Sequence, residues 1–148
     1  MLPLFLAFIA VVSSQNSSVC IDNADNVCLI QCTQFEDCQQ ETIDLELVTN
    51  NNINAIILNC NGDYSCQSLI FEANQLQKNV STTIQCTGLR SCLFSEFYLS
   101  NNQNVSVLCG ADEESCSNME IYCENCTNLN IHFLNSSCSQ SYIDIDCF

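Results

Sequence analysis

The sequence predicts an all-β, disulfide-rich parallel β-solenoid (a β-helix) of about five coils of 22–28 residues. Three observations predict it. The phrase CNGDYSC at 60–66 returns almost unchanged as CTGLRSC at 86–92. The second cysteine of each such phrase is followed, five and seven residues on, by Ile or Phe and then by a mostly apolar residue. This holds for Cys38, Ile43, Leu45; Cys66, Phe71, Ala73; Cys92, Phe97, Leu99; Cys116, Ile121, Cys123; and Cys138, Ile143, Ile145. Upstream of each lies a segment that alternates apolar and polar residues, the period-two mark of a strand with one buried face. A unit this short leaves its apolar face in water when alone, and stacking units buries it.

Taken in order, residues 2–12 form an apolar run closed by Ser13 and Ser14, the pattern of a secretion signal cut before Gln15. The run is too short to span a bilayer. Residues 1–14 are therefore read as a signal peptide, 15–27 as a polar N-terminal cap and 28–148 as one solenoid domain.

Within the domain the inward residues of the first strands are Cys28, Ile30, Cys32; Ile56, Leu58, Cys60; Thr82, Ile84, Cys86; Val105, Val107, Cys109; and Leu129, Ile131, Phe133. Cysteine fills the third slot four times and Phe133 the fifth. The second cysteines stand 28, 26, 24 and 22 residues apart, so the coils shorten evenly. An alternative parse makes Cys126 the start of a short extra coil, with Ile131 and Phe133 at the same offsets.

Between the two cysteines of a phrase the chain turns a corner. Gly62 and Gly88 stand at a fixed place in it and are expected to supply positive φ. A bridge across each corner predicts Cys32–Cys38, Cys60–Cys66, Cys86–Cys92 and Cys109–Cys116. Parallel strands lie about 4.8 Å apart, so bridges between stacked coils are also permitted. Cys20 and Cys28 are expected to join the cap to the first coil. Cys123, Cys126, Cys138 and Cys147 allow three connectivities, among which sequence does not choose. The remaining turns are Asn-rich, TNNNIN (49–54), NQLQKN (74–79), SNNQN (100–104) and ENCTN (124–128), as suits a residue that tolerates left-handed backbone.

Fourteen cysteines after a signal peptide place the chain in an oxidising, extracellular compartment. Zinc fits poorly, because His132 is the one histidine and the C-x2-C of Cys123 and Cys126 has no second pair. Seventeen acids against Lys78 and Arg90 give a net charge of −15, which repels phosphate backbones and anionic headgroups. Neither nucleic-acid binding nor membrane insertion after signal cleavage is expected.

Catalytic groups are scarce. His132, the one histidine available to a Ser-His-Asp or Cys-His set, falls at an outward strand position, as a solvent-facing strand residue does. Asp144 with Asp146, and Asp44 with Glu46, share outward faces as a polysaccharide-cleaving carboxylate pair does, and equally as a solvated strand does. Asp112, Glu113 and Glu114 are the best calcium candidates, without EF-hand spacing. No Thr-x-Thr array of the ice-binding kind occurs. No catalytic residue, cofactor site or metal site is assigned. Sequons stand at Asn16, Asn79, Asn104, Asn125 and Asn135; Asn79 and Asn104 recur at the same turn of successive coils, and Asn79, Asn104, Asn125 and Asn135 are taken as candidate glycosylation sites.

The C-x-G-x-x-S-C corners followed by an apolar pair resemble the cysteine-rich solenoid repeats of secreted and surface proteins of unicellular eukaryotes. The full motif stands in two coils; CTQFEDC and CGADEESC depart from it, and the fifth coil lacks the first cysteine. The resemblance implies a solenoid in an extracellular setting and transfers no catalytic residue. Because the last alternating strand has no polar segment after it, the far end is expected to be open. The expected function is a non-enzymatic structural protein of an extracellular matrix, cell coat or secreted fibre, self-associating or meeting other extracellular proteins and glycans. A secreted glycan- or receptor-binding module is second, and a polysaccharide-active enzyme third.

Overall fold

The computed structural model describes residues 26–45, 53–73, 80–110, 114–134 and 143–147. The signal segment, residues 15–25 of the cap, Cys20, Cys138, Asn16, Asn79, Asn135, Glu46, Asp112 and Glu113 lie outside them. The described residues form ten strands in order: β1 (Val27–Cys32), β2 (Thr42–Asp44), β3 (Ala55–Cys60), β4 (Ile70–Ala73), β5 (Val80–Cys86), β6 (Glu96–Ser100), β7 (Asn102–Cys109), β8 (Met119–Glu124), β9 (Asn128–Phe133) and β10 (Ile143–Cys147).

Odd strands make one parallel sheet in the order β1-β3-β5-β7-β9, and even strands a second in the order β2-β4-β6-β8-β10. Every pairing is parallel, so the chain climbs one rung per circuit, a β-solenoid. The three full turns run from Ala55 to Glu124. The first turn is trimmed by a three-residue β2.

The alternation forms these strands because each inward residue sits above its counterpart. Cys28, Ile56, Thr82, Val105 and Leu129 stand in one column, Ile30, Leu58, Ile84, Val107 and Ile131 in a second, and Cys32, Cys60, Cys86, Cys109 and Phe133 in a third. In the second sheet Ile43, Phe71, Phe97, Ile121 and Ile145 share a register column. Phe71 and Phe97 pack with ring centroids 6.0 Å apart at the centre of this layer. Both are fully buried, as are Leu58, Ile84 and Val107. Each such side chain contributes about 1.5–3 kcal/mol relative to an exposed one.

Two expectations need correction. The last strand is displaced by two residues: Ile145, and not Ile143, pairs with Ile121, while Ile143 pairs with Met119 and Cys147 with Cys123. The strand-to-strand interval therefore stays at 24 residues where the even shortening gives 22. A slip of two keeps every side chain on its face, so alternation alone does not detect it.

The glycines do not supply positive φ. That conformation falls on other corner residues, Tyr64, Cys66 and Ser68 in one coil and Arg90, Cys92 and Phe94 in the next, and on no glycine. Gly62 and Gly88 are required by stacking instead. A Cβ on Gly62 would lie 2.0 Å from the Gln34 carbonyl oxygen, and one on Gly88 2.3 Å from that of Gly62.

The corner backbone explains itself through its hydrogen bonds. Tyr64 N–H donates to Leu89 O in the following coil (2.7 Å), Cys66 N–H to Asp37 O in the preceding one (2.8 Å), and Ser68 N–H to Leu93 O in the following one (2.8 Å). The residues between them, Ser65, Gln67 and Leu69, donate within the corner to Gly62 O, Tyr64 O and Cys66 O. Positive φ at every second residue turns the amides of Tyr64, Cys66 and Ser68 out to neighbouring coils while those between them stay within the corner, so all six are satisfied and the left-handed strain is offset.

Candidate functional site

The four local disulfides expected across the corners are present: Cys32–Cys38, Cys60–Cys66, Cys86–Cys92 and Cys109–Cys116, with Cα separations of 5.8–5.9 Å. Cys123–Cys126 closes the shortest loop, three residues apart, and resolves part of the open connectivity. β9, just after Cys126, pairs with β7 as the next strand of the first sheet, so Cys126 stands in the turn between β8 and β9 and does not start an extra coil. Cys28 is disulfide-bonded as well. The sulfurs of Cys32, Cys38 and Cys66 lie within 4.8 Å of one another, but all three are held in disulfides of stacked corners. Stacked cystines account for that cluster.

Two surfaces stand out. The first is the outer face of the second sheet. Its strands place Glu96 beside Glu120 and Asp144 in one register column, and Asp44, Glu72, Tyr98, Tyr122 and Asp146 in the next. The Tyr98 and Tyr122 rings are stacked, 4.7 Å apart and 6° from parallel. Tyr98 O–H donates to Glu96 Oε2 at 2.6 Å, and Tyr122 O–H donates to Glu120 Oε2 in the same way on the next rung. The Glu96 bond, with partial desolvation and the surrounding carboxylates, pushes the Tyr98 phenol up to about 12; Glu120 does the same for Tyr122. Both phenols stay neutral in an acidic field.

Sequence reasoning weighed Asp44 with Glu46 and Asp144 with Asp146 as strand pairs and missed this ladder. The signal was there: SEFYLS and MEIYCE carry Glu and Tyr four and six residues after Cys92 and Cys116. Outward slots carry no burial constraint, so that recurrence is weaker than the apolar one.

The second surface is the last rung. β9 continues the columns, Leu129 on Val105, Ile131 on Val107 and Phe133 on Cys109, yet it pairs with β7 alone among the described strands. Leu129 and Ile131 are half-buried, Phe133 is 43% exposed and the adjoining Leu134 60%. At the other end Cys28, Ile30 and Cys32 are 0–6% exposed. The two ends of the stack differ.

Elsewhere, His132 is exposed on the outer side of β9, in register with Leu108. Glu114 pairs with Arg90 Nε, whose guanidinium lies 5.7 Å from the Tyr64 ring. Of the sequons, Asn104 is exposed and accepts a hydrogen bond from Asn128 Nδ2 (2.9 Å), and Asn125 is exposed in a left-handed turn (φ 56°). No described helix is long and apolar enough to cross a membrane. No family model, curated protein or solved structure matches this chain.

Proposed function

We propose that this chain is a non-enzymatic structural protein of an extracellular matrix, cell coat or secreted fibre, self-associating through the open end of its solenoid. The observation that carries the reading is the last rung, where Phe133 and the adjoining Leu134 are exposed and Leu129 and Ile131 half-buried, on a strand with one bonded edge among the described strands. The stacked cystines support it, because they fit an oxidising compartment and brace each corner against opening outside the cell. The likeness of the corners to secreted and surface proteins of unicellular eukaryotes supports the same setting. The exposed sequons at Asn104 and Asn125 are its candidate glycan sites, and Asn79 and Asn135 are proposed from sequence alone.

The test is sedimentation and electron microscopy of the native oxidised material over a wide concentration range. Concentration-dependent association under non-reducing conditions is the expected result; a monomer at every concentration overturns the reading.

A second reading is favoured by the Glu–Tyr ladder: a binding module that presents this acidic face to a receptor or sugar. Retention of a glycan or basic ligand by a monomer, lost in Tyr98→Ala and Glu96→Gln, is its expected signature.

A further inference from the structure

We infer that the open rung joins a second copy of this chain in a closed two-fold pair, with β9 running antiparallel to its counterpart about Ile131. This rests on the self-association reading above and adds the partner and the stopping point.

Charge identifies the partner. The chain carries −15, and the outer face of the second sheet bears Asp44, Glu72, Glu96 and Glu120, so two copies repel across most approaches. From Asn125 to Leu134, however, no acidic or basic residue occurs apart from His132. This neutral strip coincides with the exposed apolar rung, so it is where two copies can meet without opposing carboxylates. At the edge of the other sheet, β10 contributes Asp144 and Asp146, and self-pairing there sets like charges opposite one another. A basic partner would be drawn to the acidic face and not to β9.

The strand also lacks the features that protect an edge. Asn128–Phe133 contains no Pro, no Lys and no inward charge, and its pairing with β7 shows no bulge. An antiparallel register centred on Ile131 sets Ile131 against Ile131, Leu129 against Phe133 and Asn130 against His132. All three inward residues then gain an apolar cover, and no like charges oppose.

Closure follows from the asymmetry of the ends. A head-to-tail stack needs an exposed first rung to receive the last one, but Cys28, Ile30 and Cys32 are buried. An isologous contact uses the same surface twice, so through this rung two copies join and no third.

Sedimentation equilibrium of the full oxidised chain, with backbone hydrogen exchange, tests the pair. The expected result is a mass that saturates at twice the monomer, stronger association as added salt screens the repulsion, and slowed exchange confined to 128–134. Ile131→Glu, checked for intact disulfides by mass and for β-structure by circular dichroism, should abolish pairing; Glu72→Gln on the acidic face should not weaken it. Mass that keeps rising with concentration overturns the closed pair while leaving self-association standing. A monomer throughout overturns both. A dimer indifferent to Ile131→Glu, or without protection of β9, places the contact elsewhere and overturns the inference alone.

Discussion

Gly88 lies directly against the backbone of Gly62 one coil away: a Cβ on Gly88 would stand 2.3 Å from the Gly62 carbonyl oxygen and 2.5 Å from its carbon. Backbone cannot swing aside as a side chain can. Gly88→Ala should therefore force neighbouring corners apart, with a loss of about 3 kcal/mol at the upper end of overpacking costs. Gly110→Ala, whose nearest neighbour is Thr87 Cα at 2.8 Å, should lose less. Urea midpoints give the order. Gly88→Asn separates the two explanations, since Asn tolerates positive φ but not this contact; stability retained in that variant would refute the steric account.

The left-handed positions make the opposite prediction. Gln40 is exposed with φ 55° and donates its N–H to Gln67 O. Gln40→Gly removes a strain of about 1–2 kcal/mol and adds about 0.5–1 kcal/mol of chain entropy cost, for a net gain of about 0.5 kcal/mol. Gln40→Val puts a β-branched residue at positive φ and should lose about 1–2 kcal/mol. Thermal unfolding of the two variants beside the parent checks the sign of each.

The contrast between these positions marks how far the sequence can be read. The inward columns were legible from Cys28 to Phe133, because burial imposes period two and the third slot is a cystine whose corner returns intact. The corner bonds followed from the same spacing. The two-residue displacement of Ile145 onto Ile121 was not legible, since side-chain parity is unchanged by it. Nor was the role of Gly62, which is set by Gln34 in another coil. Of the surface features, the Glu–Tyr ladder was readable only as a repeated offset, and the exposure of Phe133 was not legible, since by sequence it fills an inward slot like the cysteines before it.

Removing one corner bond tests how much the cystines brace. Cys86 and Cys92 close a loop six residues apart, for which chain entropy gives about 2 kcal/mol. The Cys86→Ala/Cys92→Ala pair should lose at least this in guanidinium unfolding. Because Cys92 holds φ 56° with its N–H on Ser65 O, Cys86→Ala/Cys92→Gly should recover about 0.5 kcal/mol of the loss. Equal losses in the two double variants would show that the corner is not strained.

The tyrosine ladder sets a pH limit. Both phenols are raised to about 12 from an ordinary value near 10, so the folded state holds protons that the unfolded chain releases. Their stabilising contribution is whole below pH about 10 and is lost as pH rises toward 12. Ultraviolet titration should show two of the phenols ionising late, and Glu96→Gln with Glu120→Gln should bring them back toward 10. Titration unchanged by those substitutions would remove the hydrogen bonds as the cause.

Ser65, Ser91 and Ser115 occupy one corner slot in three coils, all fully buried, but they are not equivalent. Ser91 and Ser115 both donate to Gly88 O, at 2.8 and 2.9 Å, whereas Ser65 Oγ has no partner among the described residues. A buried hydroxyl without a partner contributes nothing to offset its desolvation. Ser65→Ala should therefore be neutral or stabilising, while Ser91→Ala, with the same change in volume, should lose about 1 kcal/mol. Chemical denaturation of the two variants compares identical substitutions in adjacent coils, so a loss at Ser65 equal to that at Ser91 would mean its hydroxyl finds a partner in solution.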